Sequence, residues 1–421
     1  MRTLVLGTPA EPVHYLSRLI TSSGERFTLL KDRRTGLPDP WTTRYNAGRQ
    51  RTQAKAETTI ARALSAIVLA LQWGLARGID LDARLDSLEL FTAEETGDLI
   101  NWLGIGRATD KKRRHRLSVN ADTRYTRAMV VRQYFVWRSE HALHRISVSS
   151  GRYGDASRKL EDWKRLLGQS IRIVQGEGKS AKMGLPEELR LRFLEVIQPD
   201  YPDNPFEPRH RKRNFALLIM YFKLGVRRAE PLVLKSADLI LAGSKPRICV
   251  HGRPDDPEDP RPDQPSVKTA DRILHIDSVL LKALLDWLVC RGSARLYPGA
   301  KRQPFVFVAE NGRPLAGRTV YDLFVIIREA FPEFPPDLSP HSLRHDWNDR
   351  FSELCDSVRE GEAIREGDPE TRLTDAREAS MRNYLMGWKK NSKTGVLYTA
   401  RSTERQAQEL SLKMQERLVD G

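Results

Sequence analysis

Four short signals follow one another in the second half of the chain: Gly225-Val226-Arg227-Arg228-Ala229-Glu230, Val267-Lys268-Thr269, His341-Ser342-Leu343-Arg344-His345, and Met386-Gly387-Trp388 with Tyr398 beyond it. Their side chains would suit the chemistry of a phosphoryl group. A guanidinium stays charged and offers a planar fork to two phosphate oxygens, which fits Arg227 and Arg344. A phenol such as Tyr398 can attack phosphorus and stay attached, conserving the energy of the bond it breaks. His341, with a side chain that titrates near neutrality, can carry a proton. The indole N–H of Trp388 can donate to a phosphoryl oxygen but cannot exchange a proton. Glu230 is expected to brace the arginine segment. Singly, each signal is weak in a chain with 70 Lys plus Arg; their joint order carries the weight. His341 and His345 have the i, i+4 spacing of a zinc pair, but there is no H-E-x-x-H glutamate and no third ligand at a metal spacing, so neither metal nor cofactor is expected.

The chain of 421 residues carries 70 Lys plus Arg against 55 Asp plus Glu, a formal charge of +15 that calls for an acidic partner. The length suggests two or three domains, each able to bury its own core. No 18 apolar residues run unbroken, and MRTLVLGTPAEP is too short in apolar positions for a signal sequence, so a soluble cytoplasmic protein with no membrane partner is expected. Cys249, Cys290 and Cys355 lie far apart and read as buried free thiols.

The elements that must position these residues follow from periodicity. Residues 1–54 hold a hairpin-like stretch and polar sequence of unclear role. Ile60, Leu64, Ile67 and Leu71 recur at helical spacing, with Gly78 where a C-terminal cap belongs. Thr92 and Glu95 have capping-box spacing, Asp122 or Thr123 can cap a third helix, and Leu160, Trp163, Leu167 and Ile171 line a fourth. Residues 55–175 thus read as a helical bundle. Within it Lys111, Lys112, Arg113, Arg114 and Arg116, followed by Arg124 and Arg127, suit phosphate binding. Residues 176–183 read as a linker and 184–421 as a second domain. There ALLIMYF must lie in a core, RICVHG and VKTADRILHI read as β pieces around a Pro- and Asp-rich hairpin loop, and Ser339-Pro340 opens a helix just before His341. The expected class is mainly α with a small antiparallel β-sheet.

Together the four signals resemble the tyrosine recombinase family, also called phage integrases, whose catalytic domain carries Arg, Lys, His-x-x-Arg, His or Trp, and Tyr in this order. The bundle and linker resemble that family's core-binding domain, which with the α+β catalytic domain forms a clamp around duplex DNA. The resemblance implies a site-specific enzyme that cleaves double-stranded DNA through a 3′-phosphotyrosine and a four-way junction, without cofactor. Tyr398 would be the nucleophile, Arg227 and Arg344 the phosphate ligands, and His341 the general base. Lys268 would protonate the leaving 5′ oxygen, and Trp388 would take the place often held by a second His. It also implies self-association on DNA, from dimer to tetramer, and a nucleoid-associated place in a bacterial or phage-like setting.

The interval from Arg344 to Trp388 is longer than the family's usual one, and the acidic stretch around residues 356–377 is expected to be a surface insertion. With the long loop before it, Lys268 has Arg272 and Lys245 as alternates. Leu410, Met414 and Leu418 lie one turn apart and are expected to contact a neighbouring protomer. Two other outcomes stay open: a topoisomerase or hairpin resolvase using the same chemistry, and a DNA-binding architectural protein whose pocket has decayed.

Overall fold

A computed structural model describes residues 13–53, 55–106, 118–172, 184–364, 373–389 and 392. The chain divides into two compact units, Met1–Gly178 and Lys179–Gly421. The described residues are mainly helical with two small antiparallel sheets.

The first unit opens with a hairpin, β1 (His14–Ile20) and β2 (Arg26–Asp32), paired from His14↔Asp32 to Ile20↔Arg26. Alternate residues of β2, Arg26, Thr28 and Leu30, point inward, the period of two that a half-buried strand requires. The short helix α1 (Pro40–Tyr45) starts at Asp39, whose carboxylate accepts from the Thr42 N–H. Asn46 then donates to the Thr28 carbonyl at 2.8 Å and Arg51 to that of Arg26 at 2.9 Å, sewing the segment to β2. Hairpin, α1 and the following helices belong to one compact unit, and Tyr45 and Trp41 pack edge-on or tilted against Tyr134, Trp137 and His141.

The helices of this unit are α2 (Glu57–Arg77), α3 (Leu81–Ser87), α4 (Ala93–Leu103), α5 (Ala121–Leu143) and α6 (Gly151–Arg172). α2 ends on Gly78 at φ +66°, and Thr92 with Glu95 forms the reciprocal capping box of α4. α5 is capped by Asn120 rather than by Asp122 or Thr123; its side chain, two residues upstream of Asp122, accepts the Thr123 N–H. Leu160, Trp163, Leu167 and Ile171 of α6 are all buried. α2 is long and apolar enough to cross a membrane by length and composition, but 61% of that stretch is buried in this unit's own core.

The second unit contains α7 (Glu187–Val196), α8 (Arg211–Leu224), α9 (Ala229–Val233), α10 (Ser278–Arg291), α11 (Gly317–Ala330), α12 (Pro340–Ile364) and α13 (Asp375–Met386). Its sheet runs β3 (Leu239–Ile240), β4 (Arg247–Val250), β5 (Arg272–His275), antiparallel throughout. α8 is its axis: Asn214 to Phe222 are buried on every side, between α10 and α12. The described ends of the acidic stretch expected as an insertion are helical, since α12 runs on to Ile364 and α13 begins at Asp375. Arg359 reaches across from α12 to Asp375 and Glu378 of α13, so the charges that look solvated in sequence are partly paired. Of the cysteines only Cys355 is buried; Cys249 on β4 and Cys290 on α10 are half-buried, the latter packed against the core.

Candidate active site

Arg227 sits in the turn between α8 and α9. α8 ends at Gly225, whose φ of +57° is the left-handed cap a glycine adopts without strain, and any Cβ there would lie 2.7 Å from the Trp347 ring. The last carbonyls of α8, orphaned by the end of the helix, are taken up by three side chains of α12. Trp347 donates to the Lys223 carbonyl at 2.9 Å, Arg350 to that of Phe222 at 2.5 Å, and Arg344 to that of Gly225 at 2.7 Å. Three residues apart each time, they lie along one side of α12. Downstream of Arg227, the Glu230 carboxylate accepts the backbone N–H of Arg227 at 3.0 Å and so closes the first turn of α9.

Glu230 is 3% exposed and is the node of the site. It accepts from the Thr269 hydroxyl at 2.6 Å and forms an ion pair with Arg272 at 2.8 Å, both partners buried. Arg272 in turn donates to the Leu385 carbonyl at the end of α13, and the Ala270 N–H donates to the Gly387 carbonyl. Gly387 has φ +63°, and a Cβ there would come within 2.7 Å of both Arg272 and Thr269. That close approach of backbone to side chain requires glycine.

Lys268 precedes Thr269 and is exposed. It is not on a strand: β5 begins only at Arg272, because the segment before it turns aside to hydrogen-bond Glu230 and Gly387. The Pro- and Asp-rich loop ahead of it is braced. Lys235 pairs with Asp256 at 2.7 Å and Glu258 at 2.5 Å, Arg253 with Asp238 at 2.5 Å, and Arg261 donates to the carbonyls of Leu232 and Leu315. Of the alternates, Arg272 is committed to Glu230, while Lys245 is exposed between β3 and β4.

α12 opens as its sequence requires. The Ser339 side chain accepts the Ser342 N–H at 3.3 Å and the Ser342 hydroxyl accepts the Ser339 N–H at 2.7 Å. Arg344, 1% exposed, donates both to Gly225 and to the Met386 carbonyl at 3.0 Å, and its guanidinium carbon lies 5.4 Å from the Trp388 ring centroid. Trp388 itself is 8% exposed, and its backbone N–H donates to the Asn383 carbonyl at 2.8 Å. His341 is exposed on the first turn of α12, and its Nε2 lies 3.2 Å from Nε2 of the buried His345.

Arg227, Lys268, Arg344, Trp388 and His341 therefore come from four separate stretches, and the segments bearing them are joined by hydrogen bonds and packing. Tyr398 lies outside the described residues, as do Lys111, Lys112, Arg113, Arg114 and Arg116, and Leu410, Met414 and Leu418. Arg124 and Arg127 stand at the start of α5. Arg127 donates to the carbonyls of Leu103 and Ile105, capping the end of α4, and burial lowers its pKa. The Arg124 stem lies over Gly104. Sequence reasoning missed His345 and Thr269 as parts of the site. Both sit inside motifs already singled out, at the positions that face their neighbours. No group of three or more potential metal ligands occurs among the described residues.

No family model and no curated protein matches the sequence. Among solved structures, the chain is similar to the XerA recombinase, with 17% identity over 88% of this chain and 97% of that one, at a TM-score of 0.35. It is similar to the Tn1549 transposon integrase in complex with transposon right end DNA, with 12% identity over 77% and 86%, at 0.43. It is also similar to the lambda integrase bound to DNA, with 12% identity over 80% and 94%, at 0.40. At that overlap the likenesses do not assign an activity.

Proposed function

We propose that this protein is a site-specific recombinase or integrase that cleaves and rejoins double-stranded DNA through a 3′-phosphotyrosyl link, with Tyr398 as the attacking group. Arg227 and Arg344 bind the scissile phosphate and offset the charge that develops on its oxygens. Lys268 gives a proton to the leaving 5′ oxygen, His341 takes one from the attacking hydroxyl, and Trp388 donates to a phosphoryl oxygen. A 5′ hydroxyl of a partner strand then reverses the step, and two such exchanges pass through a four-way junction between self-associated protomers. The observation that carries the reading is the Glu230 node. A buried carboxylate ties the Arg227 turn to Thr269 and Arg272, and through them to the residues before Trp388, and this joining of segments scattered over about 160 residues supports the reading.

One observation favours a second reading. Arg344 already gives two N–H groups to backbone carbonyls in a nearly closed site, as an arginine kept only for structure would in an architectural DNA-binding protein. A single experiment separates the two. The protein is incubated with supercoiled DNA carrying the flanks of its own gene and denatured, and a protein–DNA band is sought beside Tyr398→Phe. The enzyme reading expects a band that the substitution abolishes. Salt-sensitive binding with no adduct, on DNA shown to contain the target, would establish the architectural reading instead.

A further inference from the structure

We propose that residues 33–37, the turn that leaves β2, enter the minor groove of duplex DNA and contact it with Arg33, Arg34 and Leu37. This gives a task to a segment that the family resemblance leaves unassigned, and it rests on the proposed function only for duplex DNA as the partner.

The turn is held in one shape by its own hydrogen bonds. The Asp32 N–H donates to the Leu37 carbonyl at 3.0 Å and the Gly36 N–H to the Asp32 carbonyl at 2.9 Å. At the base, the Asp32 carboxylate accepts the N–H groups of Arg34 at 2.7 Å and Thr35 at 2.9 Å. The bond from the Thr35 N–H holds Asp32 below its ordinary pKa, so the carboxylate stays ionised and the turn closed at neutral pH. Gly36 takes φ +68°, and a Cβ added there would meet nothing within 4 Å, so the tip stands clear of the described residues. The base is fixed. The Arg33 N–H donates to the Val13 carbonyl at 2.8 Å and the Asp39 N–H to that of Leu30 at 2.7 Å, and Leu30 is wholly buried.

This fixed turn shows solvent two cations and a large apolar group: Arg33 and Arg34 are exposed, and Leu37 is 66% exposed. The Arg33 guanidinium lies 5.6 Å from the Tyr15 ring centroid, which restricts its swing. Residues 14–55 hold 9 Lys plus Arg against 3 Asp plus Glu, so the surroundings favour an anionic partner. Phosphates alone would call for the cations but not for an exposed leucine beside them. The minor groove calls for both, because its negative potential draws arginine and apolar side chains wedge between its base steps. A chain reversal whose strands lie about 5 Å apart also suits a groove about 6 Å wide that is too narrow for a helix.

The test measures binding of the full chain to a short fluorescent duplex and to a twin with inosine in place of every guanine. Inosine removes the minor-groove amino group and leaves the major-groove pattern unchanged. The parent is expected to bind the inosine duplex at least about threefold more tightly. Arg33→Gln/Arg34→Gln/Leu37→Ser is expected to lose that preference, to bind about tenfold more weakly, and to lower the slope of log affinity against log salt by about 2. Asp32→Ala adds one net positive charge while removing the acceptor that shapes the turn. It is expected to weaken binding and blunt the preference, whereas general attraction would strengthen binding. Thermal melting shows which variants are folded, and Arg34→Gln alone replaces a triple variant that is not. Equal binding of the two duplexes by a parent that binds DNA, a preference that survives in the folded triple variant, or tighter binding by Asp32→Ala overturns the proposal. Covalent linkage is scored on the same proteins. A parent that shows the preference but forms no adduct refutes strand cleavage and leaves the groove contact standing; an adduct from a parent without the preference does the reverse.

Discussion

The two units spend their arginines differently. Residues 1–178 hold 30 Lys plus Arg against 19 Asp plus Glu, a net +11, whereas residues 179–421 hold 40 against 36, a net +4. Most of the excess charge therefore belongs to the unit without the candidate catalytic residues. Among the described residues of the second unit five arginines, Arg213, Arg272, Arg291, Arg344 and Arg382, are buried, and they act as internal fasteners: Arg291 donates to the carbonyls of Phe305 and Gln303, Arg213 to that of Val308, and Arg382 to that of Asn348. The first unit buries Arg26 and Arg138 among its described residues, the latter paired with Asp82 and Asp86. A long-range positive field and a rigid pocket make opposite demands on the same side chain, and dividing them between units meets both.

The sharpest way to break this contrast is at the node. Glu230→Ala leaves Arg272 buried without its carboxylate and removes the acceptor of the Arg227 N–H, and is expected to cost about 3–5 kcal/mol in urea unfolding. A cost below about 1 kcal/mol would mean that the fasteners of the second unit are dispensable. In the first unit, replacing Lys111, Lys112, Arg113 and Arg114 together with Gln is expected to leave the melting temperature unchanged and to reduce the slope of log affinity for DNA against log salt by about 3–4. An unaltered slope would move the phosphate contacts elsewhere.

A pH titration probes the second unit more gently. Burial, with Arg213 nearby, lowers the pKa of His210 from 6.5 to about 4, and its Nδ1 lies 2.9 Å from the Tyr297 hydroxyl. The unfolded chain binds a proton below pH 6.5 and the folded one only below about 4. Stability is therefore full above that upper value and falls as pH drops through the interval, by about 3 kcal/mol, a loss that His210→Gln should largely remove. The smallest effect is expected at the surface of the first unit: Arg77→Gln breaks the exposed pair with Asp98, worth about 0.2–1 kcal/mol, and a larger loss would show that this unit too is held together by its charges.

Local signals were legible from sequence: the Gly78 and Gly225 caps, the Thr92 capping box, the buried stripe of α6 and the opening of α12 each depend on residues within one or two turns. The order of Arg227, Lys268, His341, Arg344 and Trp388 was legible too, and these residues do lie on linked segments. What stayed hidden was set at long range. Lys268 looks like strand sequence, yet its neighbour Thr269 is drawn off the ladder by Glu230, 39 positions away. The acidic stretch after Arg344 reads only as a surface insertion because nothing local shows that Arg359 will pair with Asp375 and Glu378. The attachment of residues 14–51 to the bundle depends on Trp41 and Tyr45 meeting Trp137 and Tyr134, a pairing that no periodicity announces.

The two carbonyls that Arg344 holds belong to residues 119 positions before it and 42 after it. Such separations place the pocket among the slower features to form, since each chain closure must be complete before its bond repays it. During synthesis the pocket cannot exist until Met386 has emerged, by which time α8 has long been available to collapse. A nascent chain can thus acquire a core well before it acquires a reactive centre, and a ribosome stalled short of that residue would display a compact but inert protein.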